Sequence, residues 1–380
     1  MGKHVITNLK RTQLYESHLE LNARMVEFGG WQMPVQYSGV VAEHTNVRTK
    51  VGIFDVSHMG QLSVRGKQAA SCLNYLLSND VTKLTAGRAH YSVLLTEEGT
   101  PVDDVIVYKI GEEDFLVCVN ASNIEKDFNW MTTHNKFEAS ILNESSDYAL
   151  IAVQGPNATE LCQAFLGSSL EHLQNFSHEK LEQTSTGIKL SGFIARTGYT
   201  GENGYELFIA SSQSKLVWDS LLEEGIKFGV LPIGLGARDS LRLEAALCLY
   251  GHELREDIDI LSAGLAWVTK FDKADFIGMD ALNGIRQTGP KYKLVGIELI
   301  EPGIARENTK VLDLAGKEIG FVTSGTKTPT IGKSIALAYV QSSSFVNLEL
   351  GKLEQVVSCV VRDKPIRAKI VPIPFYKRAK

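Results

Sequence analysis

Gly198, Gly201 and Gly204 recur every three residues, and Tyr205, Glu206, Leu207, Phe208 and Ile209 follow at once in an order that reads as strand. Phosphate-binding loops have the opposite order. Their glycines follow a strand and open a helix, whose free N–H groups and dipole meet the anion. A turn that feeds a strand therefore argues against a nucleotide-binding α/β fold at this point. It predicts that Glu206 starts a strand, beside backbone that glycine leaves open to a close ligand. A carboxylate so placed can accept two parallel N–H bonds from a planar amidine-like edge, as it does from arginine. The same residues also read as a plain hairpin carrying a solvated glutamate.

A second landmark follows. Gly234 and Gly236 precede a predicted helix in which Arg238 and Arg242 are four apart and share a face. Leu241, Ala245 and Leu249 repeat at the same spacing on a neighbouring face, so the helix can pack while presenting its arginines. Arg238, near the N-terminus, opposes the helix dipole, and either a ligand or Asp239 is expected to compensate. The plain alternative is an exposed ion pair worth little.

The rest of the chain supplies the frame. Leu14, His18, Leu21 and Met25 suggest a helix that Phe28-Gly-Gly-Trp31 breaks. Signals then alternate: strand Gln61 to Val64, helix Gln68 to Leu77, strand Ala89 to Leu95, a turn at Glu98-Gly-Thr-Pro101, strands from Val102 and Phe115, and helix Ile124 to Met131. Asp103 and Asp104 enter the apolar strand after that turn and must point to opposite faces, one solvated and the other facing a cavity. Asp147 to Pro156 reads as strand and turn, and Ala158 to Phe165 as helix. A polar Gly-Pro stretch at 284–293 marks a boundary, beyond which short strands with turns at Glu301-Pro-Gly, Leu314-Ala-Gly, Ser324-Gly and Leu350-Gly suggest a small barrel. Gly332-Lys-Ser334 is not a phosphate loop, because residue 327 is lysine and Ile335 to Val340 continue as strand. The division expected is 1–283, with an α+β subdomain at about 53–137, and 284–380.

Composition removes whole classes. A net charge of -5 leaves no electrostatic footprint for nucleic acid, and no apolar run is long enough for a membrane span. The cysteines Cys72, Cys118, Cys162, Cys248 and Cys359 are scattered and read as free buried thiols, and no histidine spacing suggests a metal. No apolar signal region opens the chain, so a cytoplasmic location without a targeting segment is expected. His58 lacks a partner nucleophile and reads as structural or substrate-lining.

Arg196-Thr-Gly-Tyr-Thr-Gly-Glu-Asn-Gly-Tyr-Glu206, Gly236-Ala-Arg-Asp-Ser-Leu-Arg-Leu-Glu244 and Val51-Gly-Ile-Phe-Asp-Val-Ser-His-Met-Gly60 resemble the T-protein family of the glycine cleavage system, the tetrahydrofolate-dependent aminomethyltransferases. Leu150-Ile-Ala-Val-Gln-Gly-Pro156, Gly264-Leu-Ala-Trp-Val268 and Val322-Thr-Ser-Gly325 extend the resemblance over nearly the whole chain. It implies an α+β, multi-domain fold with a ferredoxin-like subdomain and a C-terminal β-barrel or jelly-roll-like domain. It implies tetrahydrofolate as co-substrate, no metal, and the lipoyl carrier H-protein as partner. By the same resemblance Asp104 is the catalytic aspartate, Glu206 holds the pterin edge, Arg238 anchors folate, Tyr91 and Asn120 line the site, and Tyr376 reaches it. Two relatives of this fold remain as alternatives. The oxidative folate domains fused to flavin enzymes lack support because no GxGxxG region is present. A non-catalytic folate-binding assembly or maturation factor stays open.

Overall fold

The computed structural model describes residues 9–345 and 355–378. The chain forms two compact units, one of residues 1–70, 83–90 and 105–239, the other of 71–82, 91–104 and 240–380.

In the first unit a six-stranded sheet runs in the order His178–Lys180, Gly192–Ala195, Gly204–Ala210, Tyr148–Gln154, Val51–Asp55 and Val230–Pro232. All neighbours are antiparallel except the last pair. Helices Ala158–Leu166 and Ser214–Gly225 cover it. The first buries Ala158, Leu161, Cys162 and Phe165 at helical spacing, and the second buries Val217, Trp218 and Leu221. Gly167, at φ 69°, ends the first helix in the left-handed conformation that glycine adopts without strain. The resulting core joins these side chains to Ile53, Ile151 and Leu207 of the sheet, all fully buried.

Strands Pro101–Gly111, Asp114–Val119, Gly60–Arg65 and Ser140–Asn143 lie side by side in that order, with Ala89–Leu95 added beyond the first. Numbered along the chain, the first four stand 2-3-1-4, the ferredoxin-like order. Helix Ile124–Thr133 packs on the Gly60–Arg65 and Ser140–Asn143 strands.

The helix expected from Leu14 to Met25 is much shorter. It spans Tyr15–Glu20, and Asn22 at φ 56° turns the chain so that Met25 lies in strand Arg24–Phe28, opposite Pro34. Gly29 and Gly30, both at positive φ, make the two-residue hairpin into Trp31–Gln36 that such a turn requires.

The second unit contains a closed barrel in the order Tyr292–Leu299, Ser334–Gln341, Glu318–Lys327, Lys310–Leu312, Gln355–Val361 and Lys364–Val371. Ile297, Val311, Val322, Ala336, Ala338 and Val340 fill its interior. Ile335 and Leu337, on the other face of the same strand, are buried against Leu243. Ser324-Gly325, expected as a turn, lies inside strand Glu318–Lys327. The register slips there between Val322 and Ser324, and a Cβ on Gly325 would stand 1.9 Å from the Ala305 carbonyl oxygen. Glycine here marks a bulge and a close backbone approach. The expected turn at Leu350-Gly351 lies outside the described residues.

The helix bearing Arg238 and Arg242 spans Leu235–Glu244, not the longer run its apolar spacing suggests. Ala246 takes φ 53°, and Leu247 N–H donates to the Arg242 carbonyl at 2.9 Å. That closing motif turns Leu249 away from the helix face on which it was expected. No described helix is long and apolar enough to cross a membrane.

Candidate active site

The site residues expected from the sequence fall into two groups, one in each unit. In the first, the turn at 196–204 closes around Gln154. A Cβ on Gly198 would lie 2.1 Å from Gln154 Oε1, and one on Gly204 2.4 Å from its Nε2. Gln154 is 1% exposed, donates to the Thr197 carbonyl at 3.1 Å and accepts from the Thr200 hydroxyl at 2.9 Å. These two glycines therefore make room for a buried amide, not for a ligand as expected. Gly201, at φ 81°, supplies the bend. Arg48 fixes the outer side of the turn, donating to the Thr200 carbonyl at 2.7 Å and pairing with Glu202 at 2.8 Å, with both side chains 4% exposed.

Glu206 leaves this turn in strand Gly204–Ala210, half-buried and opposite Ala152 and Ala195. The Thr197 hydroxyl donates to its Oε2, and the Tyr108 hydroxyl lies 3.2 Å from Thr197 Oγ1. Burial pushes the Glu206 carboxyl above its ordinary pKa, while Thr197, the Arg238 charge and Tyr108 oppose the rise. Arg238 is half-buried, with its guanidinium 4.5 Å from the centre of the Tyr199 ring. The ring and the Glu206 charge offset its unfavourable place near a helix N-terminus. His58 is 1% exposed, edge-on to Phe28, and neither ring nitrogen has a hydrogen-bond partner among the described residues. Burial and the Arg238 charge push its pKa down to about 3. Asn120 stands at the end of strand Asp114–Val119, where its carbonyl accepts Asn123 N–H at 2.9 Å.

In the second unit the Tyr91 hydroxyl donates to Asp104 Oδ2 at 2.9 Å. The Tyr91 ring stacks on Trp267, with centroids 6.0 Å apart and planes 16° apart. Trp267 is 62% exposed, so this aromatic pair carries the aspartate at an accessible edge. Asp103 is fully buried and Asp104 half-buried, so of the two carboxylates it is Asp104 that reaches the accessible side. Arg242, expected beside Arg238 on a presented face, is 2% exposed instead. It donates to Glu253 at 2.7 Å and to Ser324 Oγ at 2.9 Å. Tyr376 follows the cis Ile373-Pro374 bond, and its N–H donates to the Glu244 carbonyl at 2.8 Å. Thr330 N–H donates to the Glu244 carboxylate at 3.1 Å, which fixes the same residue from a second side.

Thr197, Tyr199 and Trp267 were not singled out from the sequence. The first two sit within the glycine-spaced turn, where a hydroxyl and a ring two residues apart were a usable signal. Trp267 had none beyond its bulk. All five cysteines are free thiols, and no group of three His, Cys, Asp or Glu among the described residues could hold a metal ion.

Comparison with known proteins covers both units. The GCVT N-terminal domain family matches residues 14–273, and the glycine cleavage T-protein C-terminal barrel domain matches 293–377. The aminomethyltransferase of Acidobacterium capsulatum is 45% identical, with 98% of this chain and 97% of that protein covered. The aminomethyltransferase of Listeria monocytogenes is also 45% identical, over 99% of this chain and all of its own length. The crystal structure of glycine cleavage system aminomethyltransferase T from Bartonella henselae superposes with a TM-score of 0.89 at 32% identity, covering 97% of this chain and 99% of that one.

Proposed function

The chain belongs to the glycine cleavage T-protein family, matching its N-terminal and barrel domains in order, and we propose that it works as the family's tetrahydrofolate-dependent aminomethyltransferase on a lipoyl carrier. The carrier H-protein presents an aminomethyl group on a lipoyl sulfur. Folate N5 bonds to the methylene carbon, ammonia leaves, and N10 closes the ring as the carbon–sulfur bond breaks. The two protons lost from N5 and N10 leave with ammonia and the dihydrolipoyl thiol.

The observation that carries this reading is the carboxylate of Glu206, desolvated, held by Thr197 and facing the charge of Arg238. A half-buried carboxylate held in place fits the two donors on the edge of a 2-aminopterin. The Arg238 guanidinium on Tyr199 anchors an acidic part of the substrate or keeps Glu206 ionised. Asp104, oriented by Tyr91, stabilises positive charge as it moves among the folate and departing nitrogens, and can carry a proton between them. Tyr91 and Trp267 supply an aromatic wall that helps keep water from the reactive carbon. Asn120 in the first unit and Tyr376 in the second are read, from the family resemblance, as further substrate-contacting residues.

The test is ammonia release from an aminomethyl-loaded lipoyl carrier protein, with and without tetrahydrofolate, by the wild type and by Asp104→Asn. Folate-dependent release that the variant loses supports the reading. Folate binding without release by the wild type would identify a non-catalytic relative instead.

A further inference from the structure

A buried polar chain in the first unit meets the helix of Arg238 at its origin and runs back to the turn that carries His58. It begins at Glu43, fully buried in helix Val40–Thr49. Its Oε1 accepts the N–H groups of Tyr37, Ser38 and Gly39 at 2.6, 2.9 and 3.0 Å, and its Oε2 accepts that of Gly234 at 2.7 Å. Gly234 immediately precedes the helix, and its carbonyl accepts the Arg238 N–H at 3.2 Å. A Cβ on Gly234 would stand 2.4 Å from the Val35 backbone, and one on Gly236 2.6 Å from the Val40 side chain. The helix start is thus seated directly on the 35–40 segment that Glu43 ties together, with little room to slide.

From that segment the chain of bonds continues inward. The Tyr37 hydroxyl meets His18 Nδ1 at 2.9 Å, and His18 Nε2 donates to Asp55 Oδ2 at 2.8 Å. Asp55 also accepts from the Thr12 hydroxyl at 2.6 Å and from Ser57 N–H at 2.9 Å. Burial works against the Asp55 charge, yet the His18, Ser57 and Thr12 bonds hold its pKa below the ordinary value. Ser57 leads directly to His58, which is buried within reach of the Arg238 charge. The first route therefore holds the backbone of the helix start that carries Arg238, and the second ends at a buried ring that senses the Arg238 charge.

We propose that Glu43, Tyr37, His18 and Asp55 form a positioning network that fixes the Arg238 guanidinium and so sets the affinity for folate without touching it. The proposal rests on the reading of Arg238 as part of the folate site. Binding groups have to be held within about 0.5 Å of their productive place, and a helix start released from its anchor loses that precision. A satisfied buried network rigidifies the backbone it ties, and through the Gly234 N–H bond a change at Glu43 reaches the helix start directly.

Glu43→Gln tests this with little change in volume. Its amide oxygen keeps the three donors of residues 37–39, and its NH2 group then faces the Gly234 N–H, donor against donor. The expected result is a rise of about 10-fold in KM for tetrahydrofolate, with kcat at saturation within about 2-fold. In an Arg238→Met background the same substitution should add no further loss of folate affinity. Hydrogen exchange at the amides of residues 235–239 should quicken in Glu43→Gln. It should not quicken in Phe165→Leu, a core variant of the same unit that lowers stability without touching the network. Equal losses of affinity in both backgrounds, or unchanged exchange at the helix start, would overturn the proposal. A wild type that binds no tetrahydrofolate would sink the folate reading alone, and the exchange result would still decide whether Glu43 anchors this helix.

Discussion

Arg242→Met should destabilise the second unit far more than any surface arginine change, and the surrounding bonds give the size. The guanidinium is 2% exposed and donates to Glu253 Oε2 at 2.7 Å, to the Leu247 carbonyl at 3.2 Å and to Ser324 Oγ at 2.9 Å. Methionine matches much of its volume and removes all three bonds. Glu253, fully buried, would keep the Leu249 N–H at 3.0 Å and the Thr323 hydroxyl at 2.6 Å, and would lose the guanidinium that balances its charge. Removing one member of a buried pair costs about 3–5 kcal/mol, and the two surviving donors place this case near the lower end. At 298 K about 3 kcal/mol lowers the folding equilibrium constant roughly 150-fold. In Arg242→Met/Glu253→Leu no charge is stranded, so the double variant should be more stable than Arg242→Met alone. Unfolding in urea, followed by tryptophan fluorescence and circular dichroism together, reads both values. A loss below about 1 kcal/mol for Arg242→Met, or strict additivity in the double variant, would refute the argument from a buried, mutually dependent pair.

Glu206→Gln should weaken tetrahydrofolate binding by about 30-fold or more, since an amide turns one acceptor into a donor facing the pterin, and titration calorimetry measures it. Asp104→Asn should lower kcat by about 100-fold or more with folate affinity within about 3-fold, and single-turnover ammonia release checks the first half. Ala246→Gly should raise the unfolding free energy by about 0.5–1 kcal/mol, because glycine relieves the left-handed φ of 53°; a lower urea midpoint would contradict this. Lys273 donates to the carbonyls of Asn74, Leu77 and Asn79, and burial pushes its pKa down to about 7. A base depressed in the folded chain leaves the unfolded chain binding more protons between about pH 7 and 10.5, so stability should climb with pH across that window relative to Lys273→Met. Parallel pH profiles for the two proteins would disprove it.

Strands and helices with strong periodicity were legible in the sequence, as were the barrel and the order of turn and strand around Glu206. What was lost was lost to tertiary contacts. Arg238 and Arg242 have the same spacing whether both face a ligand or one is buried, and only Glu253, 11 residues on, decides the matter. Ala246 ends its helix in a conformation normally reserved for glycine, so nothing local warned that Leu249 had left the helical face. Gly198 and Gly204 looked like room for a ligand because Gln154, far back in the chain, is the group that fills the space. Met25 fell on a helical repeat, yet strand pairing with Pro34 outweighed that local preference.

Strand Val51–Asp55 also has a consequence for how the protein is made. Its sheet partners are Tyr148–Gln154 and Val230–Pro232, both far downstream. On a ribosome adding about 5–20 residues each second, this apolar strand emerges roughly 10–35 s before its last neighbour exists. Loop closure over that separation makes early pairing slow as well. A chain stopped short of Pro232 would carry an open, apolar strand edge, the kind that pairs with other chains. Translation speed through the intervening stretch should therefore govern soluble yield more than the stability of the finished fold does.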